Sequence, residues 1–498
     1  MRGPGFGLGL FVATGERVTA VNRTWREAAM ARMCWRCWHK VVSASTISKG
    51  TEPYKNCSQQ KVNEPVHWRG LRKRMKLSRI GRVTMALVVS VAMGLGMTAC
   101  GGGTIGFMWV LGTQYNQIAA FKIDDFTGNL TQVVHSPFTS GGSNPVSLVV
   151  RTGGRYVYVV NKGGGASTSA SGSLPCGTSG GIAEFAVGGQ GVLTFQQCFQ
   201  SQGTTPVWAA RDSTGGFLYV LDSIGPGANC DANHINTAAC YGDITVFASD
   251  SSTGRLSLVV NQQIKDPVTG LQLTYFPVGQ LPKMMALSGS CLFTLNSDGN
   301  QTVFPYSTGS NGQLTLTTNS VINSGAVRAT SIIAGGSAVY ITDAGQANTN
   351  SPGQILPYTV GSSCSLNTIV GGSTQNISPG ANPSYALVDS KNLRLYVANQ
   401  SSTNTTNANS SLSAFLIQSN GTLQVLTDPG NNPYPIGAGP VCVVEDPSNQ
   451  YIYTSNGDGT VTGKILDQTT GELSNLSRGS TFTAVGQATC LAVSGNVD

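Results

Sequence analysis

Residues 395–445 run as four short apolar strands separated by Gly, Asn, Pro and Ser, and the chain carries that order in seven copies. Leu395-Tyr396-Val397-Ala398-Asn399 opens the unit, Leu412-Ser413-Ala414-Phe415 follows, and Asn420-Gly421 turns the chain into Leu423-Gln424-Val425-Leu426. Gly439-Pro440-Val441-Cys442-Val443-Val444 closes it. Fixed-order units of four strands cannot bury their apolar faces alone and are the signature of propeller blades.

Four columns align across the copies. The opening aromatic recurs as Trp109, Tyr158, Tyr219, Phe293, Tyr340, Tyr396 and Tyr453. The second strand carries an aliphatic-x-x-aromatic pattern: Ile118/Phe121, Ile182/Phe185, Ile244/Phe247, Phe304 alone, Ile355/Tyr358 and Leu412/Phe415, with Lys464 at the aromatic position of the last copy. A Gly-x-Leu hairpin signal comes next at Gly128, Gly191, Gly254, Gly312, Gly421 and Gly471, with Cys364 replacing Gly in the fifth copy. The fourth strand is entered at Pro145, Pro206, Pro282, Ala329, Pro383, Pro440 and Ala488. These columns predict an all-β fold, a seven-bladed β-propeller of four-stranded blades over residues 107–498. If the Pro-entered strand is innermost, the C-terminal strand completes the blade begun by residues 107–133 and closes the ring, removing free edges.

Charge divides the chain. Residues 1–74 hold 14 Lys/Arg and 4 Asp/Glu, whereas from Cys100 onward there are 13 against 19, a net of 13 − 19 = −6. The propeller body is mildly acidic and has no basic footprint for nucleic acid. Met75-Lys76-Leu77-Ser78-Arg79 is a basic start, followed by an apolar run from Val83 to Met97 that is short for a membrane span. Residues 75–99 thus read as an export signal. Met97-Thr98-Ala99-Cys100 resembles the bacterial lipobox, which implies cleavage before Cys100 and lipidation of its thiol; the alternative is a plain secretory signal. That reading places the chain in a bacterial cell envelope, attached to membrane through the lipid anchor. Residues 1–74 then read as an over-extended gene start without order, and residues 100–106 as a linker. Cys34 and Cys37 with His39 fall short of a spaced four-ligand zinc set, so no metal or cofactor is expected.

Eight further cysteines in an exported chain point to disulfides. Repeat position pairs Cys442 with Cys490 in neighbouring innermost strands, Cys230 with Cys240 in one loop and Cys176 with Cys198 in one blade. Cys291 and Cys364 remain, across adjacent blades.

Phe121-Lys122-Ile123-Asp124, Thr127-Gly128-Asn129-Leu130-Thr131 and Asn382-Pro383 leading to Asp389 resemble the repeat of the lactonase family of seven-bladed propellers, the 6-phosphogluconolactonase-like group, over roughly 107–498. The resemblance implies a propeller and a site at the mouth of the central channel, where enzymes of that family often enter the innermost strand as Pro-Arg-His. Here the residues two past the Pro position are Ser147, Trp208, Met284, Ser331, Tyr385, Cys442 and Cys490, with no His.

Lactone hydrolysis needs a base for water and a cationic or hydrogen-bonding group for the oxyanion. From Cys100 onward the histidines are His135 and His234, both placed on peripheral loops by the repeat. Lys283 and Arg328 offer a cationic spot at the channel mouth, with Asn144, Asn382 and Gln487 beside them; the bland alternative is a solvated rim. Asn296-Ser297-Asp298-Gly299-Asn300 and Asn456-Gly457-Asp458-Gly459 lack full calcium-loop spacing and read as turns. Two functions stay open. The first is a monomeric lipid-anchored scaffold that binds a protein or small-molecule ligand through insertions 163–179 and 225–241. The second is an extracytoplasmic lactonase-type hydrolase using Lys283 and Arg328.

Overall fold

Every opening strand is buried along nearly its whole length, so it is covered on both faces, and stacked blades supply that cover. The computed structural model describes residues 103–495 except 167–168, 232, 236, 318–320, 347–352, 370–381, 401–409 and 430. The chain divides into two units, Met1–Val88 and Val89–Asp498, and the described residues all belong to the second. The readings of residues 1–74, 75–99 and Cys100 lie outside them.

Seven antiparallel sheets form a ring of blades. In the second blade the order outward from the centre is Pro145–Val150, Tyr156–Asn161, Gly181–Val187 and Leu193–Phe199. Five sheets gain a fifth short strand; Phe138–Thr139, for example, pairs with Gln117–Asp124 in the first blade. The Pro-entered strand is innermost throughout, and each packs beside the next around the channel. Proline suits this place because a first residue or a bulge needs no ladder N–H. In the Pro-entered blades at Pro145, Pro282, Pro383 and Pro440 the pairing slips just after the Pro, so the following residue is bulged.

The ring closes as the columns predict. Ala488–Gly495 pairs with Thr104–Gly112, setting Ala492 opposite Trp109. Residues 104–106, taken above as linker, belong to that first strand. One column needs realignment: Tyr306, not Phe304, pairs with the outer strand and is buried at the aromatic position, so Val303/Tyr306 is the fourth copy of the pattern. A proline at 305 between them obscures the register in sequence.

The opening aromatics do more than fill space. Trp109 Nε1 donates to Gly191 O at 3.3 Å, Tyr340 Oη to Gly421 O at 3.0 Å, Tyr396 Oη to Gly471 O at 2.8 Å and Tyr453 Oη to Gly128 O at 2.6 Å. Tyr158 makes the same bond to Gly254. Each is a buried strut from one blade to the hairpin of the next, worth about 1 kcal/mol net. The hairpin glycines have positive φ and admit a neighbouring ring: a Cβ at Gly191 would lie 2.3 Å from Phe107, and one at Gly254 2.5 Å from Tyr156. In the fourth blade Phe293 has no hydroxyl, and there Cys291 bonds covalently to Cys364, which holds the glycine position at φ 62.

Among the described residues the disulfides join the expected pairs: Cys176–Cys198, Cys230–Cys240 and Cys442–Cys490 by repeat position, and Cys291–Cys364 as the pair that remained. Such a set is consistent with an oxidising compartment outside the cytoplasm.

Candidate functional site at the channel mouth

The channel mouth is built by the loops that enter the innermost strands. Their entry residues Asn144, Leu281, Asn382 and Gln487 take positive φ, between 45° and 56°. Each offers its carbonyl to a backbone N–H just past the opening strand of its blade: Asn144 O accepts from Lys162, Asn382 O from Gln400 and Gln487 O from Thr113. An Asn or Asp ends most opening strands at this level, and Asn161, Asp222 and Asp343 hold the entry loops of their blades. Asp343, for instance, accepts from Val327 N at 3.0 Å, Arg328 N at 2.8 Å and Gly345 N at 2.9 Å.

Lys283, Arg328 and Asn382 come together on three consecutive blades. Arg328 is exposed, but its guanidinium is fixed: Nη2 donates to Asn382 Oδ1 at 2.8 Å and Ala344 O at 3.3 Å, and Nε to Gly345 O at 3.2 Å. Nη1 has no partner among the described residues. Lys283 is not a solvated rim residue. It is half-buried, and Nζ donates to Ala329 O on the next innermost strand. Desolvation, with Arg328 nearby, pushes its pKa down to about 8. Ser384 and Thr489 occupy the same bulged column and make equivalent struts, to Pro440 O at 2.6 Å and Pro145 O at 3.0 Å. Lys283 therefore serves first as a strut between innermost strands. Asn144 and Gln487 lie elsewhere on the ring, where Asn144 Nδ2 donates to Gly163 O at 2.9 Å and Gln487 O accepts from Thr113 Oγ1 at 3.3 Å.

Below the mouth two aromatic side chains meet. Trp208 and Tyr385, from the third and sixth blades, meet with ring centroids 6.2 Å apart. Both pack against buried apolar residues of the surrounding blades. Cys442–Cys490 and the buried Ser147, Met284 and Ser331 complete that level. The sequence listed this column without revealing the contact, whose only sign is two aromatics among smaller residues.

The other candidates stay peripheral. His135 is exposed at φ 68, and His234 is partly exposed and hydrogen-bonds Asp231 of its own loop at 2.7 Å. Asp298 accepts from Thr302 N at 2.8 Å and Asp458 from Thr460 N at 3.0 Å, so both act as turn formers. The insertion after Gly163 folds back onto the first blade, where Asn116 Nδ2 donates to Ala166 O at 3.2 Å and Gln117 Nε2 to Ser171 Oγ at 2.5 Å. The second insertion is stapled by Cys230–Cys240.

Seven four-stranded blades, five with an added short strand, and ring closure by the C-terminal strand define a seven-bladed β-propeller. Among solved structures, the chain is similar to a protein from Bacteroides fragilis provisionally named 6-phosphogluconolactonase, at 16% identity and TM-score 0.53, covering 78% of this chain and 98% of that one. It is similar to the periplasmic gluconolactonase of Pseudomonas aeruginosa at 15% identity and TM-score 0.53, covering 79% and 100%. A Lactobacillus plantarum protein aligns at 16% identity and TM-score 0.53, over 79% and 100%. At such identities the likeness is one of fold. No family model matches the sequence, and no curated protein sequence matches it.

Proposed function

We propose that the protein is a lipid-anchored propeller of the bacterial envelope, held through Cys100, that acts as a ligand- or protein-binding scaffold. The observation that carries this reading is what the innermost strands present. Trp208 and Tyr385 meet there from the third and sixth blades, and no histidine stands on an innermost strand among the described residues. Asp343, the carboxylate closest in role to a base beside Arg328, is committed to three backbone N–H groups. Three such bonds take most of its acceptor capacity and hold it to the entry loop.

The second reading, a lactonase-type hydrolase, rests on the fixed Arg328 guanidinium with its open Nη1, a group suited to an oxyanion or carboxylate. One experiment separates the two. Purified protein is assayed on a panel of sugar and acyl lactones. The scaffold reading expects no turnover, and Arg328→Ala without effect. Turnover lost by about tenfold or more in Arg328→Ala would replace it with the hydrolase. For the anchor, Cys100→Ser is expected to move the protein from the membrane to the soluble fraction; unchanged fractionation would refute lipidation there.

A further inference from the structure

The seventh blade breaks the repeat at one place. Where other copies set Phe121, Phe247, Tyr306, Tyr358 or Phe415 opposite the short outer strand, this blade pairs Lys464 with Asn475. Lys464 is only 5% exposed, and Nζ donates to Asn475 Oδ1 at 2.7 Å. Among the described residues no carboxylate lies within ion-pairing distance of it. An ammonium carries three donors, so one neutral amide oxygen leaves it short of partners and of counter-charge. Burial accordingly pushes its pKa down, with no opposing charge recorded beside it.

Space lies beside this lysine. Lys464 and Asn475 line two adjoining hollows of about 440 and 350 Å³ that share Pro435 as well. Ser480 and Thr481 face the first, Asn431 and Ser474 the second. Tyr434 lines the second hollow and donates to Asp428 Oδ2 at 2.9 Å. The hollows are therefore lined by one buried cation together with neutral hydroxyls and amides.

We infer that the groove beside Lys464 binds a small hydroxylated carboxylate, an aldonic or uronic acid, with the carboxylate on Lys464 Nζ and the hydroxyls along Ser480, Thr481 and Asn475. This site lies on the outer part of the seventh blade and does not depend on what the channel mouth does.

Isothermal titration of the purified full-length protein with gluconate and galacturonate tests it, with glucose and inorganic phosphate as controls. Saturable binding of at least one acid, weakened about tenfold or more in Lys464→Gln, is expected, as for loss of one charge-assisted hydrogen bond. Lys464→Phe, which restores the residue type of the other blades, is expected to fold and to lose binding. Arg328→Ala is expected to keep it. No saturable binding of either acid, equal binding of glucose, binding of phosphate alone, or binding unchanged in both Lys464 variants would overturn the inference.

Discussion

Two aspartates in the third blade carry the least comfortable charges in the molecule. Asp222 and Asp243 stand opposite each other on paired strands, both fully buried. Asp222 accepts from Ser201 Oγ at 2.8 Å and Asp243 from Thr245 Oγ1 at 3.2 Å, yet each keeps one oxygen without a partner, Oδ2 and Oδ1 respectively. Desolvation raises both pKa values, and the neighbouring Asp222 raises that of Asp243 further. The folded state thus holds protons that the unfolded chain has already released. Stability from this pair is full below the ordinary carboxylate range and is lost as pH rises through the raised folded values. Asp243→Asn, permanently neutral, is expected to flatten the decline of the thermal midpoint between about pH 5 and pH 9, and to exceed wild type by ~1 kcal/mol or more at the alkaline end. Parallel profiles for the two proteins would show that the pair does not titrate with folding. A second residue-scale test concerns Arg394, whose buried Nη1 lies 3.3 Å from Asp389 Oδ2 while Nη2 reaches Thr469 O of the next blade at 2.6 Å. Arg394→Ala strands a buried carboxylate and is expected to cost ~3–5 kcal/mol in denaturant unfolding; a cost below ~1 kcal/mol would contradict the pairing.

At the scale of the element, each blade is tied to the next at the Gly-x-Leu hairpin, and the fourth blade does so covalently. Phe107, Tyr156 and Phe217 lay rings against the glycine of the neighbouring hairpin; in the corresponding place stands Cys291, facing Cys364. The disulfide and the ring-on-glycine contact are two solutions to one requirement. Cys291→Ala/Cys364→Ala is expected to lose about 2–4 kcal/mol. Cys291→Phe/Cys364→Gly, which installs the other blades' contact, is expected to recover more than half of that loss in chemical unfolding. No recovery would mean that the covalent link matters here for reasons other than packing. The strands themselves were legible in the sequence, because a buried strand must be apolar and its hairpin must turn at a residue tolerant of positive φ. The struts were not. Tyr340 finds its acceptor at Gly421, 81 residues on, and nothing local in the chain marks that partner. The Phe304/Tyr306 ambiguity has a similar origin, since two aromatics two residues apart share one strand face and fit either register until the pairing is known.

For the molecule as a whole, closure decides both stability and what the site can be. Disulfide pairing was legible because repeat position converts sequence distance into neighbouring blades. The inner aromatic contact was not, because Trp208 and Tyr385 become neighbours only when blades on opposite sides of a ring face inward. The mouth was legible as a place but not as a machine, since Lys283 spends its amine on Ala329 O. The same closure makes the last strand a test of the entire ring. Ala488–Gly495 contributes the innermost strand of the first blade, Thr489 Oγ1 reaches Pro145 O, Ser455 Oγ reaches Thr489 O at 3.3 Å, and Cys490 is bonded to Cys442. Truncation after Gly486 removes all of these together and exposes two strand edges, one on the first blade and one on the ring interior. The expected result is loss of the single cooperative transition and association of the chain, seen by calorimetry and size-exclusion chromatography. Removal of residues 496–498 alone is expected to leave both unchanged. Were the chain ending at Gly486 to stay monomeric and unfold cooperatively within a few degrees of wild type, six blades and an open one would suffice. The C-terminal strand would then be a local patch rather than the clasp of the ring.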